Sequence, residues 1–228
     1  MGIFRGPNIV TDDLELHLNA SSLRSYPGSG NTWYDLSGNG LNGVLVNETT
    51  FSSTNNRGEF RFDGSNDKVQ VDNIPQIFLG SLTMETWFYW NDDTRSIIFG
   101  NFNVGANDVN FEKIAGRSLR FYWNRGERDV TTAGNVVTTT GDWHHVVMVR
   151  SVGENTFRFY VNGSLIQSTG NVGTNISSTG STFRIGGDTR DGTTVTNGGI
   201  GSLRLYSRAL STDEVVQNYN ANKSMYGL

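Results

Sequence analysis

The chain has 228 residues, of which 36% are hydrophobic and 11% aromatic; so many rings argue against disorder, and the length is ample for one large two-sheet domain. Its 18 Lys and Arg against 22 Asp and Glu leave a net charge of −4, so no cationic face is at hand for nucleic acid. Cysteine is absent, which excludes disulfides, thiolate metal sites and cysteine nucleophiles.

The opening stretch, MGIFRGPNIV, is too short and too polar for a signal peptide, and no apolar run approaches a membrane span. The chain is therefore expected to be complete, made in the cytosol and without membrane contact. Residues 1–12 read as an extended N-terminal arm suited to docking on a neighbouring subunit, and residues 13–228 as a single domain.

Along the chain, strand signals are frequent. Leu14, Leu16 and Leu18 alternate with polar residues, as in a half-buried strand. Thr32 to Leu36 forms the next, before a tight Ser37-Gly38-Asn39-Gly40 turn. Phe60 and Phe62, then Val69 and Val71, flank Gly64-Ser65-Asn66-Asp67 and suggest a hairpin. Residues 82–90, LTMETWFYW, are apolar on both faces, so this strand is expected to be central with its outer side covered. Further strands follow at Ser96–Phe102, Leu119–Trp123, Trp143–Arg150 and Phe157–Val161, the last ending in an Asn162-Gly163 type I′ turn signal. Phe183–Ile185 and Ile200–Tyr206 close the series. Ser211 and Glu214 form a capping box ahead of Val215 and Tyr219, opening a short helix. With 28 glycines against 3 prolines and turn signals every ten or so residues, the pattern predicts an all-β fold: a two-sheet antiparallel β-sandwich, or jelly roll, with a short C-terminal helix.

The ordered set RFDGSNDKVQV, SLTMETWFYW, WHHVVMVR, FRFYVNGSLI, FRIGG and IGSLRLYSRALSTDEV resembles the laminin G and pentraxin-like jelly rolls of the concanavalin A-like class. The opening LHLNASSLRSYPGSGNTWYDLSGNGLNG is similar to a subset found in tailed phages and environmental bacteria. In that subset Asp commonly stands where this chain has Asn19.

Glucanases of this class carry a Glu-x-Asp-x-x-Glu strand, because glycoside hydrolysis needs paired carboxylates in one cleft. Here no two Glu residues lie within six positions of each other, so the chain is not expected to be an enzyme. His144 and His145 are neighbours on a strand, so their rings should face opposite sides and cannot converge on one ion. The pentraxin resemblance implies calcium at Asn107 and Asp108 after the central hairpin, and at Asp188 and Asp191 after the strand ending in Gly186-Gly187. Asn and Asp are also ordinary turn formers. Trp123, Tyr122, Arg120 and Arg125 gather aromatic and cationic groups in one segment and are the candidate ligand-contact patch.

These readings combine into a non-catalytic display module on a phage particle, as capsid decoration, fibre or tail surface protein. Its expected partners are a capsid or tail protein and host surface glycans, with homo-oligomerisation a further expectation and the virion surface its location. The alternative is a calcium-dependent carbohydrate-binding lectin module at a bacterial surface, with a glycoside hydrolase third.

Overall fold

The computed structural model describes residues 7–54, 57–75, 79–101, 109–123, 128–170, 182–187 and 195–228. Two antiparallel sheets of eight strands face each other. The first runs in the order β14 (Ser164–Gly170), β13 (Thr156–Val161), β12 (His144–Ser151), β7 (Leu82–Trp90), β16 (Asn197–Tyr206), β5 (Glu59–Asp63), β4 (Thr50–Ser52). β16 is long enough to serve two neighbours on one side: Asn197 to Ile200 pair with β5, and Ser202 to Tyr206 pair with β1 (Leu14–Asn19). The second sheet runs β11 (Arg128–Thr131), β10 (Ser118–Trp123), β9 (Val109–Ile114), β8 (Ser96–Asn101), β15 (Phe183–Ile185), β6 (Lys68–Val71), β3 (Gly43–Val46), β2 (Thr32–Trp33). The expected two-sheet sandwich is therefore the fold.

Between the sheets, alternate residues of nearly every strand interlock. Trp33, Phe60, Phe88, Phe111 and Phe159 are all fully buried in this layer, each contributing about 1.5–3 kcal/mol of burial free energy. The two sides meet through ring contacts such as Trp33 with Phe60, at 4.5 Å between centroids.

One local expectation fails. Phe60–Phe62 and Val69–Val71 do not form a hairpin: β5 pairs with β4 and β16 in one sheet, and β6 pairs with β3 and β15 in the other. The turn at residues 64–67 instead carries the chain across the sandwich. Both strands turn apolar side chains to the same core, so alternation alone does not separate a hairpin from a corner between sheets.

The run at 82–90 is central, between β12 and β16. Its outer side is covered over part of its length by helix α1 (Thr212–Asn222) and the 3-10 turn Lys223–Tyr226 that continues it. The Ser211–Glu214 capping box is formed in both directions. Among the described residues, no helix is long and apolar enough to cross a membrane. Asn162 and Gly163 both have positive φ, +50° and +76°, as a type I′ turn requires.

The two adjacent histidines do face opposite sides. His144 stacks on Trp90 at 5.1 Å, whereas His145 lies beside Trp87 beneath α1. Both are buried, because the helix closes the side that would otherwise meet water. The described part of the expected N-terminal arm lies against the chain's own helix. The Val10 N–H donates to Asn218 Oδ1 at 2.8 Å, and Gln217 Nε2 donates to the Asn8 carbonyl at 2.7 Å.

Candidate functional site

Along β7, Thr83, Glu85 and Trp87 share the outer face with Tyr89 and, just beyond the strand, Asn91, because side chains alternate with period two. The C-terminal segment covers the first three. Thr83 Oγ1 donates to the Arg208 carbonyl and accepts from the Leu210 N–H. Glu85 is paired with Arg204, accepts from Asn218 Nδ2 at 2.6 Å, and has His145 Nε2 3.0 Å from Oε1. Burial alone would raise the Glu85 pKa, but the Arg204 charge with the His145 and Asn218 contacts holds it down at about 2. Trp87 stacks on Tyr226 at 4.1 Å. Beyond Trp87 this cover ends, and Tyr89 and Asn91 border an open cleft of about 540 Å³.

The cleft is built from two neighbouring rungs of the first sheet. In one, Tyr89 is opposite Gly199, Gly199 opposite Arg61, and Arg61 opposite Thr50. In the next, Asn197 is opposite Asp63, and Asn91 donates through its backbone to the Asn197 carbonyl and through Nδ2 to Asn197 Oδ1. Asn197 Nδ2 in turn donates to Asp92 Oδ2 at 2.8 Å, so the amides are fixed in orientation. Four segments far apart in sequence thus supply one surface.

Tyr89 lies where it does because of two glycines. A Cβ at Gly199 would stand 2.2 Å from Tyr89 Cε1, and one at Gly198 would stand 2.1 Å from the Tyr89 carbonyl oxygen. Glycine inside a strand weakens it and marks close approach; here it lets the ring lean across β16. Tyr89 also meets Trp143 edge-on at 4.8 Å. Burial, with the Glu59 carboxylate close by, raises its hydroxyl pKa.

The rim is rich in acceptors. Asp63 caps the turn by accepting from the Ser65 N–H at 2.8 Å, and Asp67 Oδ2 accepts from the Asp63 N–H at 3.1 Å. Asp67 is 4% exposed, and its Oδ1 has no hydrogen-bond partner among the described residues. Burial, then the neighbouring Asp63, raises the Asp67 pKa. Glu48 completes the wall. The cation of the cleft, Arg61, gives its Nε to the buried Glu59 at 2.7 Å. A tyrosine ring edged by carboxylates and fixed amides suits a flat, polyhydroxylated ligand, since sugar faces stack on rings while carboxylates and amides take up hydroxyls.

Of the residues expected from the sequence, Arg120, Tyr122 and Trp123 are described and lie on β10, away from this cleft. Asn107, Asp108, Asp188, Asp191 and Arg125 are outside the described residues. Their flanking strands are described, and Arg184 opposite Gly100 with Ile185 opposite Phe99 puts Asn101 and Gly187 toward opposite ends of the antiparallel β8–β15 pair. Among the described residues, no group of three or more His, Asp or Glu converges to hold a metal ion.

Trp123 is a correction. It is 3% exposed and packs in the core against Phe157 at 5.3 Å, because β10 alternation sends Leu119, Phe121 and Trp123 inward together. Its edge borders a small cleft of about 290 Å³ between β11 and β14. Arg120 and Tyr122 do come together on the outer face of the second sheet, the guanidinium 4.9 Å from the ring centre. There Arg120 and Arg95 clasp the fully buried Glu112, whose pKa burial raises despite both cations. Beside them Asn110 is fully buried with neither amide atom partnered among the described residues. Tyr122 is itself 6% exposed, so the pair offers little surface to a ligand.

A model of the concanavalin A-like lectin/glucanases superfamily, Laminin_G_3, matches residues 63–216. The chain belongs to this superfamily. No curated protein sequence matches it. Among solved structures, this superfamily member is similar to the binding domain of Paraclostridial Mosquitocidal Protein 1, at TM-score 0.71 and 16% identity over 92% of this chain and 52% of the other. It is equally similar to the botulinum neurotoxin D binding domain, at TM-score 0.70, 15% identity, and 92% and 52% coverage. A third is the botulinum neurotoxin D ligand-binding domain in complex with N-acetylneuraminic acid, at TM-score 0.69, 16% identity, and 92% and 51% coverage. The chain spans about half the length of these structures, and at such identity the likeness is one of fold.

Proposed function

We propose that the chain is a non-catalytic carbohydrate-binding module whose ligand lies in the cleft over Tyr89. The observation that carries this reading is the seating of Tyr89 across Gly199 beside Asp63, Asn91 and Asn197 in an open cavity. Two further observations support it. The superfamily is named for lectins and glucanases, and a fold relative is a ligand-binding domain that holds a sugar acid. The three buried glutamates among the described residues, Glu59, Glu85 and Glu112, are all engaged by arginines, which makes them poor candidates for the acid and base of glycoside hydrolysis. The test is a glycan array with the wild type, Tyr89→Ala and Asn91→Ala. Binding should be lost in the first and weakened in the second, with Tyr89→Phe retaining most of it; a wild-type signal unchanged in Tyr89→Ala refutes the site.

Display on a phage particle rests on the sequence resemblance of the opening segment, and the glycan-binding role is the part the relatives favour. The two are compatible, since a particle-borne module of this kind would contact host glycans. Detection of the protein in purified virions tests the former. Calcium at Asn107, Asp108, Asp188 and Asp191 is a separate proposal, tested by metal analysis of the purified protein.

A further inference from the structure

We propose that this cleft selects uncharged glycans and rejects those that end in an acidic sugar, unlike the neurotoxin relative that holds N-acetylneuraminic acid. The inference rests on the glycan-binding reading of the cleft and concerns the charge of its ligand.

Among the described residues, the wall of the cavity carries three carboxylates, Glu48, Asp63 and Asp67, and one cation, Arg61. A ligand carboxylate would need Arg61 as its partner. One edge of that guanidinium is already held: its Nε donates to Glu59 Oε1 at 2.7 Å, with Glu59 1% exposed behind it, and the rest of the half-exposed group stands in a wall that carries three carboxylates. The second cation nearby, Arg57, is also engaged, standing 3.5 Å from Glu59 Oε2 and 4.7 Å from the centre of the Trp143 ring. Arg57 and Arg61 together leave one positive charge beyond Glu59, against the three carboxylates Glu48, Asp63 and Asp67, so these groups remain net negative.

Asp67 is more than nine-tenths buried in the cavity wall, so its carboxylate adds negative field behind the rim rather than a contact, which disfavours an anion in the cleft. The amides of Asn91 and Asn197 are uncharged and offset none of this, and their bonds to each other and to Asp92 hold them in place. Vicinal hydroxyls supply donors without charge; a sialylated terminus brings a carboxylate against several fixed negative groups.

The experiment uses immobilised neutral oligosaccharides, each beside its N-acetylneuraminic acid-capped counterpart, with the wild type, Tyr89→Ala, Asp63→Asn and Glu48→Gln. The wild type should bind the neutral member of a pair at least tenfold more tightly. That ratio should shrink in 1 M salt, where charge is screened, and shrink again in Asp63→Asn and Glu48→Gln. Equal or tighter wild-type binding of the sialylated members, abolished by Tyr89→Ala, overturns the charge selection and leaves the cleft as the site. Glycan binding that Tyr89→Ala does not alter, or no binding to any pair, overturns both.

Discussion

Tyr89 and Gly199 face each other across the β7–β16 ladder, and the tyrosine ring fills the place where a side chain at 199 would stand. Gly199→Ala should therefore displace the ring rather than merely stiffen the strand. The expected result is a loss of about 1–3 kcal/mol in urea denaturation, the usual range for overpacking, with glycan affinity falling more than tenfold. Gly153→Ala, where a Cβ meets nothing within 4 Å, should leave both unchanged. Equal behaviour of the two variants would show that the ring has room to move aside.

Acid should weaken the fold through the polar layer beneath α1. Burial, then Arg204, holds His17 neutral with its pKa lowered to about 3 from 6.5. Its folded pKa lies below the unfolded one, so stability is full above about 6.5 and is lost as pH falls toward 3. Glu85, at about 2 in the fold against 4.5, has its folded pKa below the unfolded one, so its contribution is present above about 4.5 and is lost as pH falls toward 2. Denaturation midpoints measured from pH 7 to pH 3 should decline throughout. His17→Phe should flatten the upper part of that decline. Glu85→Gln, which leaves Arg204 buried without its partner, should cost about 3–5 kcal/mol at pH 7.

Features set by neighbouring residues were legible in the sequence. The apolar-on-both-faces run at 82–90 announced a covered central strand, Ser211 with Glu214 a helix start, and Asn162-Gly163 a turn with positive φ. What depended on strand partnership was not. The corner at residues 64–67 looks the same as a hairpin until β5 and β6 are known to sit in different sheets. The site depends on register even more, since Thr50, Arg61, Tyr89 and Gly199 share a rung only through three separate pairings. The stretches Asp63 to Asp67 and Asn91 to Asp93 are acidic and amide-rich, but such residues are ordinary turn formers, and Tyr89 reads as one more ring in an apolar run. The glycine pair at 198–199, inside a strand, was the available signal of close approach.

The two faces of β10 separate two residues that the sequence grouped together. Trp123→Ala empties a core position against Phe121 and Phe157 and should cost about 3–5 kcal/mol. Arg120→Ala removes one of the two cations on the buried Glu112 and should cost about 1.5–3 kcal/mol. Neither contacts the Tyr89 cleft, so the folded fraction of each variant should keep wild-type glycan affinity. A selective loss of affinity in Arg120→Ala, with the melting temperature unchanged, would move the ligand to the second sheet.

Glycan binding through the Tyr89 cleft should persist in EDTA. Its donors are held by one another: Asn91 by Asn197, Asn197 by Asp92, and the Asp63 turn by Ser65 and Asp67. Hard cations are bound by six or more oxygens converging at about 2.3–2.6 Å, whereas the described carboxylates form no such group. Calcium on Asn107, Asp108, Asp188 and Asp191 would produce the opposite pattern, with binding abolished by EDTA, restored by calcium, and lost in Asp108→Ala and Asp188→Ala. Measuring the four conditions together with Tyr89→Ala separates a metal-built site from one built by strand register. Loss in EDTA with Tyr89→Ala unaffected would assign the ligand to the metal loops and leave the cleft without a role.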